Sequence, residues 1–239
     1  MTTTAEKSEA LRALHVPGNP LIVTNVWDAI TARTVAAVPG VTALATASHA
    51  VSFARGVPDG EGLSVDQALE AARIITSAVE LPVSVDFERG YAISLSQLQE
   101  NIVRLVEAGA AGLNIEDSTA ERTLRTRDDA AARVAAVRAA DKHIVINARA
   151  DGLVRGASFE EVVERANSYL DAGADCIFVL GLTTEDLVAR AIDEIAGRVS
   201  VVSKPTSVPL HRLAELGVSR VSFGPGEYFL PWNENVPCK

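Results

Sequence analysis

Short runs of aliphatic and β-branched residues alternate along this chain with Ala-rich stretches whose apolar positions recur at helical spacing. Apolar runs that lack an in–out alternation belong to strands buried on both faces, as in a parallel sheet. The pattern predicts strands at residues 21–26, 41–45, 83–86, 111–116, 144–148, 176–180, 199–203 and 220–223. Helices follow at about 28–38, 64–79, 95–108, about 127–140, 158–172, 184–196 and 209–216, with Ser64 as an N-cap and a long loop before it. Three helices end in similar phrases, Ala108-Gly109-Ala110, Ala172-Gly173-Ala174 and Leu216-Gly217-Val218, where Gly supplies a left-handed C-cap. Eight strands, each but the last followed by a helix, predict an α/β fold, a (β/α)8 TIM barrel, in one domain over residues 1–239. The eighth helix is expected to be missing or replaced, because Gly224 to Lys239 has no amphipathic run of that length. A partner protomer, making a homo-oligomer, is then expected over the bare apolar flank, with Tyr228, Phe229 and Trp232 as a local plug.

In such a barrel function gathers at the carboxyl ends of the strands. There the chain has Trp27-Asp28, Thr46-Ala47-Ser48-His49, Asp86-Phe87-Glu88, Glu116-Asp117 and Arg149-Ala150-Asp151. Asp86 and Glu88 close an apolar strand just before Gly90, and side chains two apart on an extended chain point to one side. Two converging acids repel and lose hydration, so a hard divalent cation is their natural compensator. Oxygen donors with no adjoining His or Cys suit Mg²⁺, or Mn²⁺, better than zinc. Asp28 can equally serve as a helix cap.

Composition narrows the partners. A net charge of −9 gives no basic patch for nucleic acid or an acidic membrane surface. The two cysteines, Cys176 and Cys238, make no disulfide framework, and a reducing cytoplasm fits them best. No apolar run is long enough for a membrane span, and residues 1–9 have no signal-like apolar core.

Five phrases taken in order carry a family resemblance: Asn25-Val26-Trp27-Asp28-Ala29, Ser48 to Asp59 with Arg55-Gly56, Val85-Asp86-Phe87-Glu88-Arg89-Gly90-Tyr91, Asn114-Ile115-Glu116-Asp117 and Asn147-Ala148-Arg149-Ala150-Asp151. Together they resemble the isocitrate lyase/phosphoenolpyruvate mutase superfamily, in particular its phosphonomutase-like members. The resemblance implies a Mg²⁺-dependent barrel that handles a small anionic 2-oxo acid or phosphonate through an enolate-like intermediate, making or breaking a C–C or P–C bond. It implies Asp86 as direct metal ligand, with Glu88, Glu116 and Asp59 holding metal-bound waters. Backbone N–H groups around Ser48 and His49 would receive the substrate carboxylate or enolate oxygen, and Arg149 its far anionic group. An enolate is stabilised by a divalent ion, and the planar Arg fork matches a carboxylate or phosphonate.

The chain departs from the resemblance after Glu116-Asp117. Lyases of that superfamily hold a K-[KR]-C-G-H motif in a mobile loop, whereas here Ser118 to Arg127 contains no Cys, Gly or His. Arg122, Arg125 and Arg127 could close over an anion or form a solvated face. Three functions are compatible: a mutase, hydrolase or decarboxylase of the phosphonomutase-like kind; a C–C lyase of the methylisocitrate lyase type whose acid is Tyr91 or His49; or a catalytically silent 2-oxo acid binding protein.

Overall fold

The computed structural model describes residues 2–204 and 206–224. Its eight parallel strands close into one barrel in chain order: β1 (Leu21–Val26), β2 (Leu44–Thr46), β3 (Val83–Asp86), β4 (Gly112–Glu116), β5 (Val145–Ala150), β6 (Cys176–Val179), β7 (Val199–Val202) and β8 (Arg220–Ser222). Each strand pairs with the next, and β8 returns to β1 with Arg220 opposite Leu21. The fold is therefore the expected TIM barrel.

Around it run α2 (Ala29–Ala36), α4 (Val65–Ser77), α5 (Leu95–Glu107), α6 (Arg127–Ala140), α7 (Phe159–Asp171), α8 (Glu185–Glu194) and α9 (Leu210–Glu215). Polar caps start them where the sequence reading places the turns. The Ser64 hydroxyl accepts from the Gln67 N–H while the Gln67 side chain returns to the Ser64 N–H, a capping box. Gly109, Gly173 and Gly217 all take positive φ just after helices, as their C-cap role requires.

Two helices depart from the sequence reading. Residues 48–53, expected inside a loop, form the short helix α3 (Ser48–Phe53) directly after β2, which itself begins at Leu44 rather than at residue 41. A further helix, α1 (Thr4–Ala13), precedes the barrel and carries its own capping box between Thr3 and Glu6. It closes the amino-terminal end. Leu11 packs with Leu21, Val23, Ala43, Ala45, Ala111 and Val145, a cluster separate from the larger core between strands and helices. The eighth helix and the aromatic plug at Tyr228, Phe229 and Trp232, like Cys238, lie outside the described residues. Among the described residues no helix is long and apolar enough to cross a membrane.

Candidate active site

Strand register brings the polar residues to one rim. On β3 and β4 Asp86 stands opposite Asn114, on β4 and β5 Asn114 faces Asn147, and Glu116 faces Arg149. Asp86 is locked by its neighbours: its N–H donates to the Thr46 hydroxyl at 2.8 Å, and its Oδ2 accepts from the Ser48 N–H at 3.1 Å. The first N–H of α3 thus already serves Asp86. Asp86 Oδ1 is buried and has no hydrogen-bond partner.

Past Asp86 the backbone is strained. Glu88 and Tyr91 both adopt positive φ, at 49° and 52°, a region that side chains rarely occupy and that clusters at functional sites. Gly90 between them also takes a positive φ, and a Cβ there would fall 2.3 Å from Leu98 Cδ1, so any side chain would strain the turn and displace Leu98. The turn aims the Glu88 carboxylate inward, where it accepts from the Tyr91 hydroxyl at 2.6 Å and from the Glu61 N–H. Glu61 completes the turn by accepting from the Tyr91 N–H at 2.8 Å and from Arg89 at 3.0 Å.

Burial, helped by the charges of Asp86 and Asp59, pushes the Glu88 carboxyl up to about 7, against the hydrogen bonds from Tyr91 and Glu61. Burial also raises Glu116, and Asp86, Asp151 and Glu88 reinforce it. Arg149 pulls the other way and loses, because its guanidinium is shared. It donates to Glu116 Oε1 and, through Nε at 2.6 Å and an Nη at 3.1 Å, to both oxygens of Asp151.

Every predicted site residue lies at this rim. Asp86, Glu88, Glu116 and Arg149 act on one another there, and Asp59 faces Glu88 while pairing with His49 at 3.5 Å. The acids do not form a closed cage: among the described residues no three of His, Cys, Asp and Glu converge closely enough to hold a metal unaided. Their chemistry nevertheless fits a hard divalent cation. Asp86 Oδ1 and Asp59 Oδ1 are both buried and unpartnered, and Mg²⁺ characteristically takes one or two carboxylates and keeps several waters. A cavity of 20 Å³ between Thr46, Ser48, Asp86 and Tyr91 has room for one water.

Sequence reading underrated Asp151. It is fully buried and joins Arg149 to the Ser118 hydroxyl, while its N–H donates to Asp117, whose other oxygen accepts from Tyr169. Its place two residues beyond Arg149 on the outgoing strand was the available signal. Thr46 gave a similar one as the polar end of β2.

Sequence comparison matches the phosphoenolpyruvate phosphomutase family over residues 11–233. This chain belongs to that family. It is similar to a candidate phosphonomutase of Burkholderia cenocepacia J2315, whose crystal structure has 40% identity and a TM-score of 0.88, covering 93% of this chain and 94% of that one. An uncharacterized Mycobacterium tuberculosis (strain H37Rv) protein is 35% identical, covering 90% of this chain and 81% of its own. The phosphonopyruvate hydrolase of Variovorax sp. (strain Pal2) is 27% identical, covering 90% of this chain and 78% of its own. A phosphonopyruvate hydrolase structure with oxalate and Mg²⁺ has 27% identity and a TM-score of 0.81, covering 91% of this chain and 80% of that one. Proteins named oxaloacetate decarboxylase and 2-methylisocitrate lyase are also similar to this chain. Solved structures of the wider phosphoenolpyruvate mutase/isocitrate lyase superfamily share the barrel.

The segment after Glu116 is short and closed on itself. It forms a tight hairpin in which Ser118 bridges Leu124, the Thr119 N–H donates to the Thr123 carbonyl at 2.7 Å, and the Arg125 N–H returns to Asp117. Arg125 pairs with Asp129 and Arg127 with Glu164, so both cations already have acidic partners.

Proposed function

We propose that this protein is a Mg²⁺-dependent enzyme acting on a small 2-oxo acid or phosphonate through an enolate-like intermediate, with cleavage or formation of a C–C or P–C bond next to the carbonyl. The observation that carries the reading is the rim itself. Asp86, with a buried oxygen left unpaired, is surrounded by Glu88, Glu116 and Asp59, a set of hard donors on the part of a TIM barrel where chemistry is done. Mn²⁺ would suit the same donors.

Asp86 would hold the cation directly, with Glu88, Glu116 and Asp59 orienting its waters. The bound cation would stabilise negative charge developing on the substrate oxygens. The protein's own residues supply the rest. Thr46 and Ser48 hold Asp86 in place, and the N-terminal turn of α3, with Ser48 and His49, lies beside the expected position of the substrate carboxylate or enolate oxygen. Arg149, fixed by Asp151, remains positively charged and would draw the far anionic group while its tie to Glu116 is exchanged. Tyr91 keeps its proton, because burial and the adjoining Glu88 raise its hydroxyl strongly, so it serves Glu88 as a donor.

The chain is similar to relatives named for hydrolysis, decarboxylation and lysis, and the hairpin without Cys favours the phosphonomutase-like branch over a lyase that relies on a loop thiol. A lyase reading survives in one form, with His49 as proton donor beside Asp59; Tyr91, expected from the sequence as the other candidate, holds its proton too tightly for that role. A silent binding protein is the reading from another class. We further read the protein as a self-associating, cytoplasmic one in a single domain. In support, Ile22 on the outward face of β1 is 39% exposed, and Cys176 is a buried free thiol.

The test is a turnover assay with phosphonopyruvate, oxaloacetate and 2-methylisocitrate, with Mg²⁺ or with EDTA. Product formed with Mg²⁺ and lost in Asp86→Ala supports the enzyme. Absence of turnover on the whole panel, together with tight oxalate binding, supports the silent binder instead.

A further inference from the structure

Beneath the acidic rim lies a fully buried cation that the proposed chemistry leaves unused. Arg220, at the start of β8, is 1% exposed. Its guanidinium crosses the barrel interior, and one Nη donates to the Ser84 hydroxyl on β3 at 3.2 Å, while its Nε is buried without a partner. The surrounding inward positions offer little compensation. Ser200 pairs with Arg220 in the strand register, but its hydroxyl has no partner. The Cys176 thiol, pushed up to about 12 by burial, stays neutral. A buried charge in such a setting is costly unless an opposite one lies close.

The register supplies that opposite charge. Ser84 and Asp86 are two apart on β3, so their side chains share the inner side and are spaced by about 7 Å along the strand. By holding Ser84, Arg220 sits one layer under the Asp86 carboxylate. Burial lowers the guanidinium to about 10, opposed in part by the Cys176 sulfur and by Asp86, the one carboxylate whose charge bears on it among the described residues. Arg149, the rim's own cation, is already divided between Glu116 and Asp151.

We propose that Arg220 is the buried counter-charge of Asp86, a positioning residue that fixes this carboxylate from below and offsets one unit of the rim's negative charge. The pairing bears on the proposed metal site yet exists without any ligand. It has an electrostatic consequence: Arg220 weakens the hold on a divalent cation and reduces the repulsion that an incoming dianion would meet. A rim of bare acids would bind the cation more tightly and the anionic substrate less well.

The test is a double-mutant cycle on thermal stability in EDTA, with wild type, Asp86→Asn, Arg220→Met and the double variant. Coupling is expected: the double variant should lose at least about 4 °C less in Tm than the sum of the single losses. Additive losses overturn the pairing. Arg220→Gln, which keeps a donor for Ser84 without the charge, replaces Arg220→Met if that variant does not fold. A second readout separates charge from mere packing. By calorimetry at a fixed pH of about 8, Arg220→Gln should bind Mg²⁺ about tenfold more tightly, whereas Arg220→Lys should match wild type. Unchanged affinity in Arg220→Gln overturns the charge role. If wild type binds no Mg²⁺, the proposed function fails, and the cycle in EDTA still decides the pairing.

Discussion

The two ends of the barrel treat their charged groups oppositely. At the amino-terminal end Asp175 accepts from Arg12 and Arg138, each at 2.7 Å, and from the Ile146 N–H at 2.8 Å, while Arg12 also reaches the carbonyl of His143. At the carboxyl end Asp86 and Asp59 keep unpartnered oxygens, Glu88 sits on strained backbone, and Glu116 stays raised despite touching Arg149. One end spends its ion pairs on closing the barrel over α1. The other holds charge in reserve for a ligand, which is how a folded chain stores binding capacity at the expense of stability.

Substitutions break this contrast most sharply at its two carboxylates. Asp86→Ala should lower turnover of any accepted substrate by about 10³-fold or more, read by steady-state kinetics with Mg²⁺. Asp175→Ala should leave kcat/KM unchanged and cost about 2–4 kcal/mol in urea unfolding, because it strands two partly buried guanidinium groups. Leu11→Ala belongs with the second. It opens a cavity beside Gly112, where Leu11 Cδ2 packs within 2.8 Å of a Cβ position, and should cost about 2–5 kcal/mol with catalysis intact.

The two ends should also respond to pH in opposite directions. Glu88 titrates near 7 in the fold against an ordinary value of 4.5, so the folded chain binds that proton more tightly. Its contribution is full below about 4.5 and lost as pH rises through 7. His15, under α1, is lowered to about 4 from 6.5 by burial and by Arg220, so its contribution is full above 6.5 and lost as pH falls through 4. In EDTA, Glu88→Gln should therefore remove about 2 kcal/mol of the stability lost between pH 5 and 7.5, measured by urea unfolding across that range. The smallest effect expected is that of Tyr91→Phe. It removes one hydrogen bond to Glu88 and should cost about 1 kcal/mol at pH 6 without touching the amino-terminal end.

These contrasts show which physics is legible in a sequence. Strand order and barrel closure followed from apolar runs and Gly-capped helices, since both are local patterns. Asp86, Glu88, Glu116 and Arg149 were legible as a rim because each ends a strand. The helix α1 was missed, although Thr3 and Glu6 spell its capping box, because its single deeply buried leucine, Leu11, gives a weak apolar stripe. The helix α3 was missed because Ala47 caps it without a side-chain bond. Pairings such as Arg12 with Asp175, or Arg220 with Ser84, join residues far apart in the chain and have no local signature.

The central claim is that the carboxyl-end acids are kept open for a divalent cation and a 2-oxo acid. Calorimetric titration of oxalate, a mimic of the enolate, tests it most directly, with and without Mg²⁺, on wild type, Asp86→Ala and Asp175→Ala. The account predicts binding that requires Mg²⁺, survives in Asp175→Ala and disappears in Asp86→Ala. Oxalate binding that is indifferent to Mg²⁺, or that persists in Asp86→Ala, would contradict it.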